Sequence, residues 1–332
     1  MNSIISFQKL IEKELKIFCN GLTGEPKELY EPISYSLELG GKRIRPLLVL
    51  MSCDLFDGKF KNAVNPALAV EVFHNFTLLH DDIMDNAPLR RNHPTVHKKW
   101  NKDIAILAGD AMCVKAYELI AKCDTATLSE VLEVFNSMAL KVCEGQQLDM
   151  IYEKKSSVFI DDYIKMISLK TAELLAASMK IGAIVGNASK KDIENLYQFG
   201  KNIGTAFQLQ DDILDVYGNP EKFGKQVGGD IISNKKTFLL LKALELAKGT
   251  TAKDLSRCVG MKISQFENLK IQKEKIIAVK NIYEQLGIEK IAQKEGKFFF
   301  NNGMKYLEKV NANTNKKQQL RAFAEGLMKR EI

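Results

Sequence analysis

An all-α fold is predicted by three observations. All seven prolines stand at or before Pro220 and none lies between Thr95 and Asn219, which leaves long stretches where no helical donor is lost. Apolar residues recur every three or four positions across 67–85, 103–123, 128–151, 159–185 and 192–217. The strict alternation of a half-buried strand is hard to find.

The chain opens with an amphipathic helix over 1–16, where Lys9, Glu12, Lys13 and Glu14 interrupt apolar residues and argue against a secretory leader. Breaks follow at 21–25 and at the Gly-basic stretch 40–45. Helix 67–85 ends on aspartates, and 90–97 is a connection. Helices 103–123 and 128–151 come next, then 159–185, whose portion 174–184 is apolar almost all round and so belongs inside a large bundle. Helix 192–217 runs into a Gly-rich connection over 218–234. Residues 251–332 read as helical, Lys-rich and without a motif. No low-complexity linker interrupts the chain, so a single domain over 1–332 is expected.

With 332 residues, 45% of them apolar, the chain can bury a sizeable core. Its net charge of +7 invites a polyanionic partner, yet residues 251–332 hold 17 basic and 9 acidic residues while the first 250 hold 31 and 32. Trp100 is the only tryptophan and no basic-aromatic platform appears, which argues against nucleic acid. No uncharged run exceeds nine residues, so the ~20-residue apolar span of a membrane helix is not expected. Six cysteines stand singly without a paired spacing, which suggests neither a disulfide framework nor a zinc cluster and fits a reducing, cytoplasmic setting. The four histidines fall within 24 residues, but Pro94 keeps His93 and His97 off a regular helix face.

Asp81-Asp82-Ile83-Met84-Asp85 closes the helix that runs through Leu78 and Leu79. Residues four apart on a helix have Cβ atoms about 5–6 Å apart, so Asp81 and Asp85 share a face, with Asp82 turned about 100° away. Taken alone, this is either a solvated acidic helix end or a cation site. Oxygen-only donors suit Mg²⁺, which completes its shell with water and phosphate oxygens. Asp211-Asp212-Ile213-Leu214-Asp215 repeats the spacing at the end of a second apolar helix, and two copies are hard to ascribe to surface polarity. Cations stand beyond each: Arg90 and Arg91 after the first, Lys225, Lys235 and Lys236 after the second. Arginine forks and lysine point charges bind phosphate oxygens, so carboxylates, magnesium and cations together describe a diphosphate site. Gly40-Gly41-Lys42-Arg43-Ile44-Arg45-Pro46 adds three cations behind a glycine pair able to present backbone N–H groups to an anion, although such turns are commonly ordinary connections. No Ser, Cys or His nucleophile arrangement accompanies them.

These residues, with His74, the Gly145-Gln146-Gln147-Leu148-Asp149 run, Lys170-Thr171 and Gln208, stand in order across 40–236 and resemble the trans-isoprenyl diphosphate synthases, or polyprenyl synthetases. The resemblance implies the isoprenoid synthase helical bundle, with the two aspartate motifs facing each other across a deep central cavity and about three Mg²⁺ bridging them to an allylic diphosphate. Carried over residue by residue, Asp81, Asp85 and Asp211 lead as metal ligands, supported by Asp82, Asp212 and Asp215. Arg90, Lys170, Thr171, Gln208, Lys225 and Lys235 would hold the allylic diphosphate; Lys42, Arg45, His74 and Arg91 would hold isopentenyl diphosphate. Asp81, Asp85, Asp211, Lys170, Lys225 and Lys235 would carry the catalysis. A homodimer is also implied.

The chemistry implied is ionisation of the allylic C–O bond, attack by the double bond of isopentenyl diphosphate, and loss of a proton. The growing tail would run along the helix ahead of the first motif, where Phe76 and Phe73 are bulky and Thr77 is small. That pattern is similar to archaeal-type geranylgeranyl synthases, so a C20 product is expected, with C15 next. Asn92 departs from the glycine usual after the arginine pair. A terpene cyclase would commonly replace the second motif, and a catalytically silent partner subunit would have lost carboxylates; both motifs are complete here.

Overall fold

The computed structural model describes residues 2–218, 227–261 and 268–329, which form helices and their connections apart from one two-stranded hairpin. Chain contacts divide it into two compact units. The first comprises residues 1–139, 174–200 and 306–321, the second 140–173, 201–305 and 322–332.

In the first unit, helix Asn2–Asn20 buries Phe7, Ile11, Leu15 and Cys19, four residues apart each time, as the opening pattern predicts. Helix Ile44–Leu55 has no charge between Arg45 and Asp54 and buries nine of its residues. Helix Val64–Met84 is enclosed along 66–73 and delivers the first aspartate motif at its C-terminal end. Small residues of helix Lys102–Ile120 let it approach closely: a Cβ on Gly109 would overlap the His80 ring.

The second unit is built on Leu209, Ile213, Val216, Phe238, Leu239, Leu255, Val279 and Ile288, with Tyr163 and Met166 in the same core. Helix Lys190–Tyr217 carries the second aspartate motif into it. At about 1.5–3 kcal/mol for each large apolar side chain buried, this core fixes the motif's orientation.

Predicted helices 67–85, 103–123, 128–151 and 192–217 lie within three residues of Val64–Met84, Lys102–Ile120, Thr125–Lys154 and Lys190–Tyr217. The predicted helix 159–185 is instead Ile160–Ile167, one wide π-helical turn at Ser168–Ala172, and Glu173–Val185. The connection over 90–97 contains a hairpin in which Leu89–Arg90 pairs with His93–Pro94. Arg91 and Asn92, at φ 53° and 64°, make a two-residue loop with both residues left-handed, the geometry that suits such hairpins. Asparagine adopts this φ more readily than most residues, so the departure from glycine is accommodated. Strands of two residues are too short to leave an alternating signal. Among the described residues no helix is long and apolar enough to cross a membrane.

Candidate active site

The first aspartate motif separates by face, as helical geometry requires. Asp81 is half-buried, Asp85 is exposed at the helix end, and Asp82 is buried on the other side. Arg90 Nε donates to both Asp82 carboxylate oxygens at 3.0 and 3.2 Å, and Nη2 donates to Oδ1. Burial pushes the Asp82 carboxyl up, against the pull of Arg90. Asp82 thereby orients Arg90, which lines a cleft with Asn75, Leu79, Asp82 and Arg91.

The Gly-basic stretch is a strained turn with Gly40 at φ 82°, Gly41 at φ 133° and Arg43 at φ 46°. Only glycine takes the Gly41 conformation easily, and a Cβ there would meet the Arg91 guanidinium at 2.7 Å. Arg91 Nη1 donates to the Gly40 carbonyl. Arg43 turns inward and is buried, donating to Glu71 Oε1 at 2.7 Å, Glu12 Oε1 at 3.1 Å and the Leu37 carbonyl at 2.6 Å. Of the three cations of this stretch, Arg43 is therefore structural, Lys42 is exposed and Arg45 is half-buried. Arg45 Nη1 lies 3.0 Å from His74 Nε2. A guanidinium only donates, so Nε2 accepts and the proton sits on Nδ1. Burial, then Arg45, Arg91, Arg90 and Arg43, hold the His74 pKa well below the usual histidine range. Lys42, Arg45, His74 and Arg91 thus gather around one turn of the first unit.

The second motif repeats the construction. Asp211 and Asp215 are half-buried, while Asp212 is buried and accepts from Tyr163 Oη and, at 3.1 Å, from Gln208 Nε2. Burial, reinforced by Asp230, pushes the Asp212 carboxyl up to about 8. Thr171 Oγ1 donates to Gln208 Oε1 at 2.9 Å, which joins the predicted Thr171 and Gln208 in one chain ending on Asp212. Asp215 Oδ2 accepts the Asp230 N–H at 3.0 Å and its carbonyl accepts from Gly228 N at 2.6 Å.

Asp149 joins Lys170 and Lys235. Its Oδ2 lies 2.6 Å from Lys170 Nζ and 3.8 Å from Lys235 Nζ. Burial works against the charge, but Lys235 and Lys170 prevail and hold this carboxyl below its ordinary value. Four residues earlier, a Cβ on Gly145 would overlap the Lys170 backbone; on the other side, a Cβ on Gly204 would lie 2.6 Å from the Ala172 Cα. Two glycines therefore admit the wide turn that carries Lys170 and Thr171, and π turns recur at functional sites. The sequence marks Asp149 only through resemblance; its i, i+4 relation to Gly145 is the physical signal. Tyr163 left no such signal. Lys236, grouped with the phosphate-facing cations on sequence, is turned to the carbonyls of Tyr152, at 2.6 Å, and Lys155. Lys225 lies outside the described residues.

Ahead of the first motif, Phe73 is buried with its ring 5.3 Å from Phe76 and 5.4 Å from Phe135, and Phe76 stands 4.8 Å from His80. Thr77 Oγ1 donates to its own helix at the His74 carbonyl, 2.8 Å away. The upstream turn is thus an aromatic stack with one small residue beside it.

Helical units, with one short hairpin, that each end a helix on a pair of aspartates four apart, backed by arginine and lysine, define the isoprenoid synthase fold class. Residues 26–276 match the family described as polyprenyl synthetase, and the chain belongs to that family. It is 38% identical over 267 residues to a geranylgeranyl diphosphate synthase of Sulfolobus acidocaldarius, covering 79% of this chain and 81% of the relative. Among solved structures, a geranylgeranyl pyrophosphate synthase superposes with TM-score 0.94 at 43% identity over 100% of both chains. A Corynebacterium glutamicum geranylgeranyl pyrophosphate synthase complexed with isoprenyl diphosphate and magnesium superposes with TM-score 0.87 at 26% identity, covering 98% and 99%. The chain is a prenyltransferase of this family.

Proposed function

We propose that the protein condenses isopentenyl diphosphate with allylic diphosphates, releasing diphosphate, and builds geranylgeranyl diphosphate, with the C15 product as the shorter alternative. The observation that carries this is the shared construction of the two motifs. In each, the outer aspartates share a solvent-reachable face while the middle one is buried and held by the protein, Asp82 by Arg90 and Asp212 by Tyr163 and Gln208.

Mg²⁺ fits the donor set, because Asp81, Asp85, Asp211 and Asp215 offer only carboxylate oxygens at helical i, i+4 spacing. About three ions per site is the family expectation. Bound Mg²⁺ supplies charge stabilisation for the departing diphosphate. Asp82 and Asp212 support from behind. Lys170 and Lys235, aligned on Asp149, bind the allylic diphosphate with Arg90, Thr171 and Gln208 and offset the charge that grows on the leaving oxygen. Lys225 joins them on the family pattern. Lys42, Arg45, neutral His74 and Arg91 bind isopentenyl diphosphate. Its double bond attacks the allylic cation, and the proton lost passes to the released diphosphate; no enzyme nucleophile is used.

Phe76 and Phe73 form the floor that sets product length, with Thr77 leaving room beside them. The chain acts as one domain over 1–332. A homodimer is supported by Leu107 and Val114, exposed one above the other on helix Lys102–Ile120. A cytoplasmic setting is supported by six cysteines without a disulfide among the described residues.

Incubation with isopentenyl diphosphate, Mg²⁺ and each of dimethylallyl, geranyl and farnesyl diphosphates, followed by chain-length analysis, tests the reading. A C20 product is expected; no condensation with any primer overturns it.

A further inference from the structure

Residues 251–332 hold the excess positive charge, and one of their lysines is enclosed in the second unit. Lys275, on helix Leu269–Gln285, is only 2% exposed. Its ammonium donates to the Ile232 carbonyl at 3.2 Å, the Met261 carbonyl at 3.0 Å and Asn234 Oδ1 at 2.7 Å. Three donors meet three neutral oxygens, so every hydrogen of the group is used. Burying an ammonium without a counter-charge is expensive, and an apolar side chain of similar length would fill the space at lower cost. The arrangement therefore calls for a role beyond packing.

That role is visible in what the bonds hold. Asn234 stands in the left-handed region at φ 56°, and Lys235 follows it directly. On the other side of the segment, the Gly228 and Asp230 N–H groups are fixed on Asp215, and the Lys235 N–H donates to the Asp230 carbonyl at 2.9 Å. Lys236 is tied to the Tyr152 carbonyl at 2.6 Å. Lys235 is thus carried on a strap clamped by two lysines whose ammonium groups bind protein oxygens, while its own Nζ stands 3.8 Å from Asp149.

We infer that Lys275 is a positioning residue for the allylic diphosphate: by holding the turn at residues 232–234 it aims the Lys235 ammonium at the point where Lys170 meets Asp149. The inference rests on the function proposed above for Lys170 and Lys235. It gives one residue of the basic C-terminal quarter a defined part in substrate binding.

The test is calorimetric titration of the full chain with geranyl diphosphate and Mg²⁺, without isopentenyl diphosphate, for wild type, Lys275→Met, Asn234→Gly, Lys235→Ala and the Lys275→Met/Lys235→Ala double variant. Since a displacement of about 1 Å can cost about 10²-fold in rate, Lys275→Met is expected to weaken geranyl diphosphate binding roughly 10-fold, while parallel steady-state assays with both substrates should show the KM for isopentenyl diphosphate changed less than about 2-fold. In the Lys235→Ala background it should add no further loss, because the two act through one group. Asn234→Gly keeps the positive φ, removes the acceptor for Lys275 together with the weaker 3.4 Å bond from Asn234 Nδ2 to the Met261 carbonyl, and should reproduce part of the loss. Equal losses with and without Lys235, or wild-type binding by folded Lys275→Met, overturn the inference. If Lys275→Met does not fold, wild-type affinity in Asn234→Gly overturns it. Failure of the wild type to bind geranyl diphosphate overturns the underlying site assignment instead.

Discussion

Arg45 donates through Nη1 to His74 Nε2 at 3.0 Å, so the imidazole is held neutral, with its proton on Nδ1, among four arginines. The folded pKa of His74 lies below its unfolded value. The unfolded chain therefore takes up a proton near pH 6.5 that the folded chain refuses, and stability is lost as pH falls through that range. Against a His74→Gln variant, which keeps an acceptor for Arg45 and does not titrate, the wild type should lose up to about 1.4 kcal/mol per pH unit more between pH 7 and 5. Urea unfolding at several pH values checks this; parallel pH slopes would contradict it.

Asp149→Asn removes the charge that aligns Lys170 and Lys235 while keeping the shape. By analogy with the partners that orient metal ligands, kcat/KM for the allylic substrate should fall about 10–100-fold. The KM for isopentenyl diphosphate should hardly move, because the residues proposed to bind it, Lys42, Arg45, His74 and Arg91, are not the partners that Asp149 aligns. Steady-state kinetics with each substrate varied in turn separate the two.

Asp81→Ala and Asp211→Ala each remove one outer aspartate. Turnover should drop at least about 10³-fold in either, since charge stabilisation of the leaving group is the dominant contribution. Far-UV circular dichroism should be unchanged, because Asp81 and Asp211 are half-buried helix-end residues. Near-normal rates in either variant would remove that residue from the metal set.

Phe76→Ala opens the aromatic stack above Phe73 and should shift products beyond C20. Thr77→Phe narrows the same turn and should shift them towards C15. Chromatography of the dephosphorylated products reads both; an unchanged distribution in Phe76→Ala would remove Phe76 as the floor.

Gly145→Ala forces a Cβ against the Lys170 backbone, where neither helix has a flexible side chain to yield. Overpacking of this kind costs about 1–3 kcal/mol, and the displaced turn should weaken allylic diphosphate binding as well. Denaturant midpoint and substrate affinity are expected to fall together.

The sequence by itself determined the four helices within 64–154 and 190–217 and the two aspartate motifs, because both are local. A 3.6-residue period shows in the spacing of apolar residues, and an i, i+4 pair of carboxylates faces one way whatever surrounds it. In the first motif the turn of Asp82 away from the face shared by Asp81 and Asp85 was legible too, since successive residues lie about 100° apart on any helix. Family membership was legible for a related reason: the motifs stand in a fixed order along the chain.

Which cation does what was decided only by tertiary structure. Lys42, Arg43 and Arg45 are near-equivalent in sequence, yet Arg43 is buried on Glu71 and Glu12 while Arg45 reaches His74. Lys235 and Lys236 are adjacent, yet one points towards Asp149 and the other caps backbone carbonyls. Lys275 lies in a stretch without any motif and ends fully enclosed. A lysine or arginine carries the same charge wherever it stands. Its role depends on which oxygens, often tens of residues away in the chain, come within about 3 Å, and only the packed fold settles that.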